Sequence, residues 1–162
     1  MSRLRGARRV VVMGVGSYLR GDDSAGLRLA RRLKRAKLRD VLVLECSTAP
    51  ESFTDKVREF GADHVVIVDA VHAGLAPGEV VVLEPSQLSG LAWDAHKPSL
   101  SLLALYLKHE VGAEATLIGI QAKELSLGGR VSKEVDEAVE AVASAMRAAF
   151  ERLGLAEGAG AT

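Results

Sequence analysis

The chain has 162 residues, enough for one domain, and 48% of them are hydrophobic, which can build a substantial core. Twenty-one basic residues offset twenty-one acidic ones, so no global field draws the protein to nucleic acid or to an anionic membrane, and neither is expected as a partner. The lone Cys46 excludes an internal disulfide and suits a reducing cytoplasm, and no apolar run reaches the roughly 18 residues of a membrane span.

The basic start (Arg3, Arg5, Arg8, Arg9) lacks the apolar core of a secretion signal, which again predicts a cytoplasmic protein. Arg9–Val15 is nearly continuous in apolar residues, as in a strand buried on both faces. Gly14-Val15-Gly16-Ser17-Tyr18-Leu19-Arg20-Gly21-Asp22-Asp23-Ser24-Ala25-Gly26 then forms a strand-to-helix turn. The helix runs from about Ser24 to Lys37, with Ala25, Leu29, Leu33 and Ala36 at helical spacing and a basic outer face read as solvated. Val41–Glu45 is a second strand, and Pro50–Phe60 a helix that stops at Gly61.

His64–Ala70 is the third strand and Glu79–Leu83 the fourth. Residues 85–97 show no regular period. A leucine-rich helix follows from about Pro98 to Val111 and stops at Gly112. Ala115–Gln121 is the fifth strand, and Ser132 caps a long helix to Leu153. Residues 155–162 read as a disordered tail, leaving residues 1–154 as a single domain. Strands alternating with helices predict an α/β three-layer sandwich: a mostly parallel twisted sheet of about five strands, with helices on both faces. Asn is absent and Gln occurs only twice while charges stay abundant, a balance that suggests a thermophilic source.

Loops that follow parallel strands gather at one rim of the sheet. That rim receives Asp22 and Asp23 after the first strand, Glu45 and Cys46 at the end of the second, and Asp69 at the end of Val66-Ile67-Val68-Asp69. A carboxylate closing so apolar a strand is costly to desolvate without a compensating partner. His96 precedes the Pro98 helix and can fold back over the same rim. Two carboxylates with one imidazole suit Zn, Ni, Mn or Fe better than Ca. Bland alternatives stand beside each: Asp22 or Asp23 as helix cap, Asp69 bonded to a neighbouring loop, His96 as a surface residue. His72 rivals His96 as third ligand, His109 suits a helix end, and Cys46 is read as packed rather than nucleophilic.

Gly14-x-Gly16 also begins a dinucleotide fingerprint, but Leu19 occupies the place of its third glycine. Glu45 lies further on than the usual ribose-binding acid. Adjacent carboxylates at the helix start would repel a pyrophosphate.

These segments, with Ser47-Thr48-Ala49-Pro50-Glu51, Pro77-Gly78-Glu79-Val80, His96 followed by Leu100, and Gly119-Ile120-Gln121, resemble the maturation endopeptidases of nickel–iron hydrogenases over residues 9–153. The resemblance implies a sheet of about five strands between helices. It implies metal-binding positions at Asp23, Asp69 and His96, which leaves Asp22 to cap the helix or support a ligand from behind. It also implies removal of a C-terminal extension from a hydrogenase large-subunit precursor after nickel insertion. The substrate's nickel would then be the recognition handle, with zinc or another divalent metal able to stand in its place.

On this reading Asp23, Asp69 and His96 form the catalytic site, and a carboxylate or a metal-polarised water attacks the scissile carbonyl. Gly14, Gly16 and Gly21 would admit close backbone approach of the peptide. A monomer is expected. Two departures from the family pattern stand out: Ser17 where Asn is usual, and Glu45-Cys46-Ser47 where Asp-Gly-Gly is usual, which sets a thiol beside the expected nickel site. A non-hydrolytic nickel- or zinc-binding chaperone or adaptor, and a nucleotide-binding module using Gly14–Leu19, are the competing functions.

Overall fold

A computed structural model describes residues 2–87 and 99–156. Val10–Val15 forms strand β1, with every side chain buried, as the unbroken apolar run requires. A 3₁₀ turn at Gly21–Ser24 leads into helix α1, Ala25–Lys34. Strand β2 is Val41–Ser47, and helix α2 is Thr54–Phe60, entered through a 3₁₀ turn at Pro50–Phe53. Strand β3, His64–Val71, is buried along all its length. Strand β4 is Val80–Leu83.

Helix α3, Ser99–Tyr106, continues as a π turn over Leu107–Val111. Strand β5 is Glu114–Gln121 and helix α4 is Lys133–Arg152, with the Ser132 hydroxyl accepting from the Val135 N–H as its cap. Helix α1 ends three residues before the expected Lys37. Its final carbonyls are taken by a tighter last turn, with the Ala36 N–H bonded to the Leu33 carbonyl at 3.0 Å.

The sheet order is β2-β1-β3-β5-β4, parallel except for β4, which pairs antiparallel with β5. Alternation along each strand supplies two cores. Val10, Val12, Val66, Val68, Ile118 and Ile120 pack under α1 and α4. Val11, Met13, Val65, Ile67 and Leu117 pack against Val57 of α2 and Leu100 and Leu103 of α3. The basic face of α1 is not simply solvated: Arg32 pairs with Asp136 at 2.8 Å and Glu140 at 3.0 Å, pinning α1 to α4.

The ordered domain also reaches beyond residue 154. Leu155 is 4% exposed in the first core, its carbonyl accepts from the Arg39 N–H at 2.6 Å, and Ala156 bridges Leu38. The apolar side chain at 155 explains the difference, because its burial outweighs the fraying expected of a terminus.

Candidate active site at the carboxyl rim

The chain leaves β1 for β2 on one side and reaches β3 on the other, so the strand order reverses between β1 and β3. Open α/β sheets form their ligand crevice outside the carboxyl ends at such a point. Asp23 follows β1, and Asp69 lies near the end of β3. Gly26, in the first turn of α1, brings these segments together. A β-carbon there would collide with the carbonyl oxygens of Val68 and Val15, so the helix start rests directly on the ends of both strands. Asp69 is the residue after Val68 and Asp23 stands three before Gly26.

The loop from Gly16 to Ser24 is tied down through its backbone. The Ser17 N–H donates to the Asp23 carbonyl at 3.2 Å, and the Asp23 N–H donates to the Arg20 carbonyl at 2.9 Å. Gly16 has φ +141°, and a β-carbon there would fall inside that same Asp23 carbonyl oxygen. The glycines expected to admit a peptide are therefore filled by the chain's own backbone. Ser17 accepts the Leu19 N–H at its hydroxyl, 3.1 Å away, and so supports the turn locally.

Asp22 and Asp23 separate cleanly. Asp22 is fully buried. Its Oδ1 accepts the Ser132 N–H at 2.6 Å, and its Oδ2 accepts the Lys123 N–H, the Glu124 N–H and the Ser132 hydroxyl, each at 2.8 Å. Burial alone would raise its carboxyl, yet the hydrogen bonds from Glu124, Ser132 and Lys123 hold it below the ordinary 3.8. Asp22 is thus no cap for α1. It clasps the loop before α4 from more than a hundred residues away, while Asp23 stays half-buried at the rim.

Asp69 is 1% exposed and, by strand alternation, lies on the face of Ile67, the side that carries α3. His96 lies outside the described residues, so its place is read from sequence alone. Among the described residues no three His, Cys, Asp or Glu side chains gather closely enough to hold a metal. His72 is exposed just after β3. His64 is buried at the far end of β3, with its Nε2 2.8 Å from the Thr116 hydroxyl, and burial pushes its imidazole below the ordinary 6.5. His109 is exposed in the π turn.

The Glu45-Cys46-Ser47 departure now has a physical account. Cys46 is 1% exposed among Val15, Leu44 and Val57, and burial pushes its thiol up to about 12, so no thiolate stands at the rim at neutral pH. Glu45 accepts the Tyr18 hydroxyl at 3.2 Å, Arg31 at 2.9 Å and Lys34 at 2.9 Å, while the Arg31 guanidinium lies 4.7 Å over the Tyr18 ring. The Lys34 bond, against a smaller cost of burial, holds the Glu45 carboxyl below its ordinary value. Ser47 takes φ +51°, where glycine would sit without strain, and its carbonyl accepts the Gly16 N–H at 2.8 Å.

Gln121 was quoted in the sequence pattern without a role. Its Oε1 accepts the N–H groups of Ala73 and Leu75 at 2.9 and 3.3 Å, fixing the loop after β3 beside Asp69. The only signal was its position at the end of β5. A cavity of about 660 Å³ lined by Arg3, Arg5, His64 and Lys108 lies at the opposite, amino end of the strands. It shares no residue with the rim, and pocket size is a poorer guide here than the reversal of strand order.

With this geometry, comparison with known proteins is specific. The family model described as hydrogenase maturation protease, HycI, matches residues 27–149. Hydrogenase 3 maturation protease of Escherichia coli is 31% identical over 133 residues, covering 82% of this chain and 85% of that one. The crystal structure of the [NiFe] hydrogenase maturation protease HycI from Thermococcus kodakarensis superposes with a TM-score of 0.85 at 36% identity, covering 91% and 96% of the two chains. The maturating endopeptidase HybD of Escherichia coli gives 0.77 at 25% identity over 92% and 96%. The fold and these matches define an α/β peptidase of the maturation type. The chain belongs to the hydrogenase maturation protease family.

Proposed function

We propose that this peptidase removes the C-terminal extension of a nickel–iron hydrogenase large-subunit precursor once nickel is in place. Asp23, Asp69 and His96 ligate the nickel carried by the bound precursor and so fix the scissile peptide over the rim. The observation that carries this reading is the placement of Asp23 and the buried Asp69 on either side of the β1/β3 switch point. Nickel held there would supply polarisation of an adjacent carbonyl or water. On the same proposal this step takes place in the cytoplasm; among the described residues no helix is long and apolar enough to cross a membrane.

The test is mass spectrometry of the precursor incubated with the protein, with and without nickel. Nickel-dependent loss of the extension is expected. Asp23→Ala and His96→Ala should fold normally and cut the rate by at least about a hundredfold, on the scale of removing one group that stabilises the transition state. Normal trimming by either variant overturns the ligand assignment. Tight binding of nickel-loaded precursor without mass loss overturns hydrolysis in favour of an adaptor.

A further inference from the structure

Among the described residues, large apolar side chains left in water fall in separate places. Leu102, Leu105 and Tyr106 lie on the outer face of α3, Val80 and Val82 on the edge strand β4, and Leu19 and Leu127 at the rim. Tyr18 and Leu75, 39% and 37% exposed, also stand at the carboxyl rim, and Leu19 and Leu127 are the most exposed of the four. Leu19 and Leu127 are 68% and 72% exposed and come from different loops, yet the Gly128 N–H donates to the Leu19 carbonyl at 2.7 Å. The same two loops are bonded again at Asp22, whose N–H donates to the Glu124 carbonyl at 2.7 Å and whose carboxylate takes the Lys123 and Glu124 N–H groups.

The two leucines therefore stand on loops whose backbones are bonded to one another. Leu19 is only four residues from Asp23 along one of these loops. The bonds at Asp22 tie the second loop to the turn that carries Asp23.

We infer that Leu19 and Leu127 form an apolar subsite that seats a hydrophobic side chain of the precursor peptide. The inference rests on the substrate proposed above and names the chemistry by which that substrate is gripped. Binding at this lip, away from the reacting bond, orients the peptide at the acids rather than entering the chemical step.

Processing kinetics and peptide binding test it separately. Leu19→Ser and Leu127→Ser should each raise KM about tenfold with kcat nearly unchanged, the scale of losing burial for most of one leucine. Their melting temperatures should match the parent. Leucine-to-methionine changes should restore KM, and Leu102→Ser on the far face should leave it alone. In a fluorescence-anisotropy titration, a labelled peptide spanning the precursor's C-terminal region should bind about tenfold more weakly once its apolar residues are replaced by serine. The Leu127→Ser protein should be indifferent to that replacement. Unchanged KM in both serine variants, or wild-type affinity blind to the peptide's apolar residues, overturns the subsite. A wild-type protein that fails to trim the precursor strikes the proposed function instead, and the peptide titration still decides the subsite.

Discussion

Asp22 and Asp23 share a backbone turn but meet different surroundings. Four donors converge on the Asp22 carboxylate, three of them backbone N–H groups with no side-chain freedom to adjust. Asp22→Asn presents an amide N–H₂ to some of those donors and leaves buried groups unsatisfied, so it should cost about 3–5 kcal/mol of stability. Chemical denaturation measures that cost. Ser47 offers the opposite case. A non-glycine residue in the left-handed region costs about 1–2 kcal/mol, whereas glycine there gives back roughly 0.5–1 kcal/mol through the entropy of the unfolded chain. Ser47→Gly should therefore stabilise the protein by up to about 1 kcal/mol, visible as a raised melting temperature with the rim intact. Neither role was legible in the sequence. Both depend on a partner or a dihedral angle that adjacent residues do not announce.

At the scale of elements, the strands and helices followed from apolar period and from stop signals such as Gly61 and Gly112. What the period could not convey was direction. Val80–Leu83 reads as a strand whichever way it runs, and only its register with Leu117–Ile120 makes it antiparallel. Contact between α1 and the sheet was also hidden. Gly14 and Gly26 read as the two ends of a strand-to-helix turn, but each lies where the backbone of α1 meets β1, and a side chain at Gly26 would strike strand carbonyls that cannot move aside. Gly26→Ala should cost about 3 kcal/mol or more by overpacking. Because α1 would be levered off the ends of β1 and β3, it should also lower processing by more than the fraction unfolded explains. Processing rate normalised to folded protein, read from near-ultraviolet circular dichroism, checks this.

For the whole molecule, titration sets the range of pH over which the fold is steady. His64 is kept neutral by burial, so the stability it protects is present above the ordinary 6.5 and is lost as pH falls below it, where the unfolded chain takes the proton first. Asp22, held below 3.8 despite burial, contributes stability above that value that is lost on further acidification. Cys46 runs the other way. With its thiol pushed up to about 12 from an ordinary 9.0, its share is intact below 9.0 and is lost as pH rises beyond it. Melting temperature should therefore be level between about pH 6.5 and 9 and fall on both sides. Cys46→Ala should remove part of the alkaline fall. The fold class, and the rim to which the loops of Asp23 and Asp69 belong, were legible because strand ends and their order decide which loops meet. The rest of the rim was not, since its supports come from residues far along the chain.

The clasp at Asp22 also orders events in time. Ser132 lies 110 residues downstream of the carboxylate it donates to, and loop closure over such a span is among the slower steps of assembly. As the chain leaves the ribosome, β1, α1, β2 and β3 are all made before the segment that braces the first loop exists. A nascent or truncated polypeptide ending before residue 132 thus carries Asp23 and Asp69 without the brace. The first loop therefore takes its final form only once the segment that begins the last described helix has been made.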